Sequence, residues 1–348
     1  MKFDFCVGNP PYQEEQGGEN KTFSPPVYDK FMDAAYSVAD KVELIHPARF
    51  LFDSGRTPKV WNEQMLNDPH LKILEYDSDS TKFFSSVAIM GGIAISYHDN
   101  KKEFGAIGVF SPYKELRQII SKVTQHSSFE SLQSYIWIQT RFNLNALYAE
   151  HPEAKSGIGS NGKDSRFEKN IFRKVPIFTD MPGADDDIRT LGTDESKKRT
   201  WKYISKRFVD MSQENLMSYK LISSVSNGAA GNISDAPVRI IGDTELASPG
   251  DGYTRSFIGI GNFELKKDAE NCQKYLKTRF ARVMIGTMKN TQMLNPDVWR
   301  NVPYQDFSDD SDINWESHIR EIDNQLYKKY GLSEEEINFI EKHIKEME

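Results

Sequence analysis

Phe3-Asp4-Phe5-Cys6-Val7-Gly8-Asn9-Pro10-Pro11-Tyr12 decides how this chain is read. Residues 3–8 read as a short buried strand, and Gly8 followed by two prolines ends it in a stiff turn. Residues 13–26 are polar, hold Gly17, Gly18, Pro25 and Pro26, and read as a loop. Tyr28, Phe31, Met32, Ala35 and Val38 then recur at helical spacing. A second strand is expected at 41–46, halted by Pro47, and a third at 71–76. Between them a helix over 58–68 takes Val60, Trp61, Met65 and Leu66 as its apolar face. Residues 87–97 are apolar and β-branched, either a strand pair or one long strand with a glycine bend. Strand, helix, strand, helix, strand is the pattern of a parallel α/β layer.

Past about residue 105 the texture changes to short elements mixed with polar loops at 153–165 and 180–198. A glycine-rich stretch runs from Ser226 to Gly231, and one helix is expected over 264–288. The closing helix has Ser333 as its cap and Glu336 to complete a capping box, with Ile337, Ile340, Ile344 and Met347 on one face. The expected organisation is residues 1–105, then a mixed α+β region over 106–348.

The composition of these 348 residues, 38% hydrophobic and 27% charged, suits a globular chain with two domains. No apolar run approaches the ~20 residues that span a bilayer, and Met1-Lys2-Phe3-Asp4 does not open a signal peptide. Two cysteines, Cys6 and Cys272, give no disulfide framework, and the seven histidines have no metal-ligand spacing. A cytoplasmic setting and no metal site are expected; His46 before Pro47 reads as structural. The net charge of −7 excludes a polycation, so any nucleic-acid contact needs a local basic surface. The densest such run is Lys197, Lys198, Arg199, Trp201 and Lys202, followed by Lys206 and Arg207. Cations there pair with phosphates and aromatics stack or wedge, or the run is a solvated helix face. Lys277, Arg279, Arg282 and Lys289 form a weaker set, and Ser226 to Gly231 is a loop able to approach a groove closely.

The chemistry explains each residue of Asn9-Pro10-Pro11-Tyr12. An exocyclic aromatic amine is a poor nucleophile because its lone pair is delocalised into the ring. The Asn9 carboxamide oxygen and the Pro10 carbonyl can each accept one amine hydrogen, which favours a pyramidal nitrogen with its lone pair aimed at a methyl sulfonium. The prolines fix the carbonyl direction, and Tyr12 offers a flat face for a flipped base. Catalysis is then positioning and hydrogen bonding, with no covalent intermediate.

Phe3 to Tyr12 resembles the fourth motif of adenine-specific DNA methyltransferases. Val42 to Phe52 resembles the strand and turn that follow it, and Phe83 to Tyr97 the later hairpin strands. The remainder, through Asp306-Phe307 and the tail Leu326 to Ile337, resembles the target-recognition half of type IIG-like restriction–modification methylases. The resemblance implies an incomplete Rossmann-like methyltransferase sheet over 1–105, followed by a DNA-binding target-recognition region. It further implies an adenine N-6 methyltransferase of a restriction–modification system, with S-adenosylmethionine as cofactor, double-stranded DNA as partner, and Asn9, Pro10, Pro11 and Tyr12 as the catalytic set. Tyr97 falls where the family places an aromatic against the flipped adenine; the plainer reading is a strand-end tyrosine closing the core.

The family's donor-binding glycine turn normally precedes the Asn-Pro-Pro-Tyr motif, and here the motif begins at the ninth residue. Phe257-Ile258-Gly259-Ile260-Gly261 has a Phe-x-Gly-x-Gly look, but no acidic residue follows at the end of a next strand. An open sheet edge or face is therefore expected, with the donor half supplied by another chain or by a missing N-terminal segment, or not at all. The last case makes the chain a non-catalytic recognition or partner-binding subunit. Asn-Pro-Pro-Tyr also serves methyltransferases of release-factor glutamine and of RNA bases, families that are usually more compact. Cytosine amino-methylation resembles Ser-Pro-Pro-Tyr instead. No Pro-Asp…Glu-x-Lys nuclease core stands out.

Overall fold

The computed structural model describes residues 3–14, 24–52, 55–84, 89–108, 110–111, 113–158, 165–226, 233, 236–289 and 292–347. Two compact units divide the chain at Arg117 and Gln118.

The first unit runs β1 (Phe3–Gly8), α1 (Tyr28–Val38), β2 (Ala39–Pro47), α2 (Lys59–Asn67), β3 (Leu71–Asp77) and β4 (Ile93–Asp99), with α3 (Lys114–Thr124) crossing the boundary. Its strands form one sheet in the order β1-β2-β4-β3. Only β1 and β2 are parallel; β4 lies antiparallel to both its neighbours. The uniformly parallel layer expected from the sequence is therefore half right. β1 reaches β2 through a helix, as a parallel pair requires. β3 returns through residues 78–92, whose described part holds only a single 3-10 turn at Ser80–Lys82. That connection reverses the chain. Gly91 and Gly92, both at positive φ (90 and 79°), make the turn into β4. A Cβ at Gly92 would lie 2.3 Å from the Asp77 carbonyl oxygen, so the turn needs glycine there.

Alternation along the strands sorts the two sheet faces. Val42 and Leu44 of β2, Leu71 of β3 and Ala94 of β4 pack against Tyr28, Met32 and Ala35 of α1 and Trp61 and Met65 of α2. The indole N–H of Trp61 donates to Asp33 at 2.8 Å, tying the helices together. The opposite face is different. Phe3, Phe5 and Val7 are 61, 63 and 74% exposed, and of β1 only Cys6 packs against the core. The expected buried strand is thus an exposed edge strand, paired on one side only among the described residues.

The second unit contains β5 (Ile136–Trp137), α4 (Leu144–Glu150), α5 (Ala154–Gly157), α6 (Ile171–Lys174), β6 (Ile188–Thr193), β7 (Arg199–Ile204), β8 (Tyr219–Ser224), β9 (Glu245–Ala247), β10 (Asp251–Tyr253) and β11 (Phe257–Phe263). The helices α7 (Lys266–Lys277), α8 (Arg279–Gly286), α9 (Ile319–Lys329) and α10 (Glu334–His343) follow. Two sheets form, β10-β6-β7 and β5-β11-β8-β9. The single helix expected over 264–288 is broken at Thr278, whose extended ψ of 148° ends α7. The Thr278 hydroxyl caps α8 by accepting from the Ala281 N–H at 3.1 Å. The buried Asp323 carboxylate accepts from the N–H groups of Arg279 and Phe280 at 3.0 and 2.8 Å. These partners satisfy the N-terminal donors that a continuous helix would have satisfied itself. The capping box of α10 is present as expected, although the helix ends at His343, before Ile344 and Met347. Among the described residues no helix is long and apolar enough to cross a membrane.

Candidate active site

Asn9, Pro10, Pro11 and Tyr12 follow directly on the carboxyl end of β1, the edge at which α/β sheets hold ligands. Asn9 and Pro11 are exposed, and Pro10 and Tyr12 are half-buried. Among the described residues the Asn9 carboxamide and the Pro10 carbonyl have no hydrogen-bond partner, so both oxygens are free to accept. The turn is anchored further along: the Val27 N–H donates to the Tyr12 carbonyl at 3.2 Å, and the Glu14 N–H to the Pro25 carbonyl at 3.0 Å. The start of α1 thereby holds the tetrapeptide in place.

Two more chain segments reach this edge. The Tyr12 ring meets Phe84 edge-on, with centroids 6.4 Å apart. Burial raises the Tyr12 hydroxyl to about 12, and its oxygen has no hydrogen-bond partner among the described residues. At the end of β2 the Ala48 N–H donates to Gly92 at 3.0 Å, and the Arg49 guanidinium donates to the Met90 carbonyl. Below them His46 is fully buried, its Nε2 2.8 Å from the Ser96 hydroxyl and its ring stacked on Tyr28. Burial lowers it to about 4, so it is a neutral core group at pH 7, consistent with a structural role. Residues 15–23, 53–54 and 85–88 lie outside the described residues.

Tyr97 is not brought to this turn. The register Val7, Glu43, Tyr97 sets it two residues short of Asn9 and two strands away, roughly 10 Å across the sheet. It lies on the face that exposes Phe5, beside Phe104 and the Lys72 ammonium, and its hydroxyl donates to Asp99 at 3.2 Å. Phe84 is the aromatic that the fold does set against Tyr12. Phe84 follows Phe83 in a stretch without helix or strand periodicity, so nothing in the sequence singled it out from its neighbour.

The basic run does not share one helix face. Lys197 and Lys198 occupy the β6–β7 hairpin turn, Arg199, Trp201 and Lys202 lie on β7, and Lys206 and Arg207 on the 3-10 turn after it. Much of its charge is already matched: Lys202 pairs with Asp180 and Arg207 with Glu150, each at 2.8 Å. Lys206 and Arg199 stand 3.9 Å from Asp186 and Glu245. The Arg189 guanidinium lies 4.1 Å from the centre of the Trp201 ring. Of the weaker set, Arg282 is fully buried and donates to the carbonyls of Lys277, Thr278 and Arg239. Lys289 is buried against the Ile240 carbonyl. Both are structural cations out of reach of any nucleic acid. The Ser226 to Gly231 loop lies outside the described residues from Asn227 onward.

The described residues contain no seat for a nucleoside methyl donor that matches the glycine pattern. Phe257 to Gly261 belongs to β11, hydrogen-bonded between β5 and β8 in a buried sheet. A Cβ on Gly259 would sit 2.2 Å from the Tyr253 hydroxyl, so that glycine makes room for a core tyrosine and not for a ligand. Nor do the described residues hold three metal-ligating groups together.

No curated protein matches the chain. Residues 1–84 match the family of Eco57I restriction-modification methylases. That stretch contains β1, the Asn9 to Tyr12 turn and Phe84, and over it the chain is similar to the DNA-modifying methylases of restriction–modification systems.

Proposed function

We propose that this chain is the target-base-binding and recognition part of a site-specific DNA adenine N-6 methyltransferase of a restriction–modification system. The observation that carries the reading is the Asn9 to Tyr12 turn. It stands exposed at the carboxyl end of a strand in a parallel pair, with two free acceptor oxygens and one partly buried aromatic. An amine offered to this turn would give one hydrogen to the Asn9 oxygen and the other to the Pro10 carbonyl. Its base would stack on Tyr12 once flipped from the duplex. The two neutral acceptors suit any exocyclic amine, and adenine is favoured over cytosine because the turn opens on Asn9 and cytosine amino-methylation resembles Ser-Pro-Pro-Tyr.

S-adenosylmethionine is the methyl source that methylases of this kind usually use. The described residues do not fit it, so the proposal assigns its binding to a complementary segment. That segment pairs with the free edge of β1 and covers Phe3, Phe5 and Val7. Parallel strands are normally buried on both faces, and three large exposed apolar residues on one edge strand favour a missing partner over a finished surface. The same edge supports the second reading, a recognition subunit that never meets a donor-binding half. Reconstitution separates the two. With the complementary segment, duplex DNA and labelled S-adenosylmethionine, nucleoside analysis should show N6-methyladenine. A complex that binds a defined sequence and leaves every adenine unmodified sustains the second reading.

A further inference from the structure

We infer that a cross-strand arginine pair, Arg141 and Arg166, is a seat for the phosphate backbone of duplex DNA. The inference rests on the DNA reading above and names a contact surface for it. The two residues face each other in an isolated antiparallel bridge of the second unit. Phe142 and Phe167, their chain neighbours, are buried with ring centres 4.4 Å apart. Alternation therefore turns both arginines away from that core. Like charges opposite each other in a bridge repel, and among the described residues no carboxylate pairs with either arginine to relieve them. Neither guanidinium has a partner among the described residues. Of the acids nearby, Glu168 pairs with Arg255 at 3.3 Å, and Asp210 accepts from the Ser212 N–H at 3.0 Å without an ion pair to either arginine.

The surroundings extend the seat. Lys169 follows three residues after Arg166, exposed and without an acidic partner among the described residues. Its carbonyl accepts from the Thr193 hydroxyl at 3.4 Å, at the base of the hairpin whose turn carries Lys197 and Lys198. The ring of Phe172 packs against Gly192 and fixes that junction. Arg141, Arg166 with Lys169, and Lys197 with Lys198 thus carry cations without an acidic partner among the described residues, in a chain whose net charge is −7. The matched pairs around Lys202, Lys206 and Arg207 stand in contrast. A row of phosphates supplies the acceptors that the described residues do not give Arg141 and Arg166.

The test is the salt dependence of binding of the full chain to a random-sequence duplex of about 30 base pairs. Each lost phosphate contact lowers the slope of log K against log salt by about 0.9. Arg141→Gln with Arg166→Gln should flatten the slope by about 2 and weaken binding more than tenfold at low salt. Thermal melting guards against misfolding: removing the repulsion should leave the melting temperature equal or higher. Arg141→Glu, which gives Arg166 an ion-pair partner, should also raise melting while weakening DNA binding further. Unchanged slope and affinity in variants that melt normally would overturn the assignment and leave the DNA reading intact. A wild-type chain that binds no duplex at low salt would overturn both.

Discussion

Phe5→Thr gives a prediction that the exposed face of β1 makes quantitative. Threonine keeps the strand propensity and removes the ring. Phe5 is 63% exposed, with the Lys41 ammonium 5.0 Å from its ring centre. A phenylalanine offers about 200 Å² to burial, so about 130 Å² is still open to a partner. At ~25 cal/mol per Å² that area is worth about 3 kcal/mol. Ordering costs reduce the gain to roughly 2 kcal/mol, near thirtyfold in affinity for the complementary segment. The isolated chain should stay folded. The third of the side chain already covered, about 70 Å² at the same coefficient, and one exposed cation–π contact sum to about 2 kcal/mol, several degrees in melting temperature. Melting of the free chain and titration with the complementary segment measure the two effects separately. Collapse of the free fold, or association as tight as wild type, would refute the docking role of this face.

Asp323 gives a pH-dependent prediction. Burial raises its carboxyl to about 6 from 3.8, so the folded state holds the proton more tightly than the unfolded one. Stability contributed at this site should fall as pH rises from about 4 to 6, by about 3 kcal/mol. Denaturant melts of wild type minus Asp323→Asn should show that slope, and a flat difference would contradict it. Asp323→Ala, which orphans the N–H groups of Arg279 and Phe280 at the start of α8, should cost about 2 kcal/mol at pH 7. Calorimetry of the chain alone with S-adenosylmethionine should show little heat, and micromolar binding would reject the assignment of the donor site to another segment. Lys289→Met should lower stability without altering the salt slope of DNA binding, because its ammonium is buried against the Ile240 carbonyl; a flatter slope would return Lys289 to the DNA surface.

What could be read from the sequence was local. The turn at Asn9 to Tyr12, the helices α1 and α2 and the Ser333 to Glu336 capping box each lie within a few neighbouring residues, where propensity and spacing act directly, although Phe31, Val38 and Val60 of the expected apolar stripes are exposed. Strand direction was not local. The stretch after β3 held a hint in its Asp77-Ser78-Asp79-Ser80 turn chemistry, which favours a return over a helical crossover. The break at Thr278 was hidden because apolar periodicity continues on both sides of it. Its cause, Asp323, lies 44 residues away from Arg279 in the chain. Arg141 and Arg166 were invisible for the same reason: each is a lone cation in sequence, and only the bridge between them makes a pair. Conversely, the density of the Lys197 to Arg207 run overstated its free charge, since its acids come from Glu150, Asp180, Asp186 and Glu245.

In the proposed function the Asn9 oxygen holds the amine being methylated. Asn9→Ala removes one of two acceptors at the reacting nitrogen while leaving an exposed turn that is anchored through Tyr12 and Val27. Loss of one such positioned hydrogen bond costs ~2.7–4 kcal/mol in the transition state, a hundredfold or more in rate. Ground-state DNA binding should barely change, because phosphate contacts elsewhere carry most of it. The measurement is labelled methyl transfer to adenine by the reconstituted complex, with a gel shift on the same preparations. Transfer should fall at least a hundredfold at unchanged DNA affinity, and equal methylation by Asn9→Ala and wild type would rule out Asn9 as the amine acceptor.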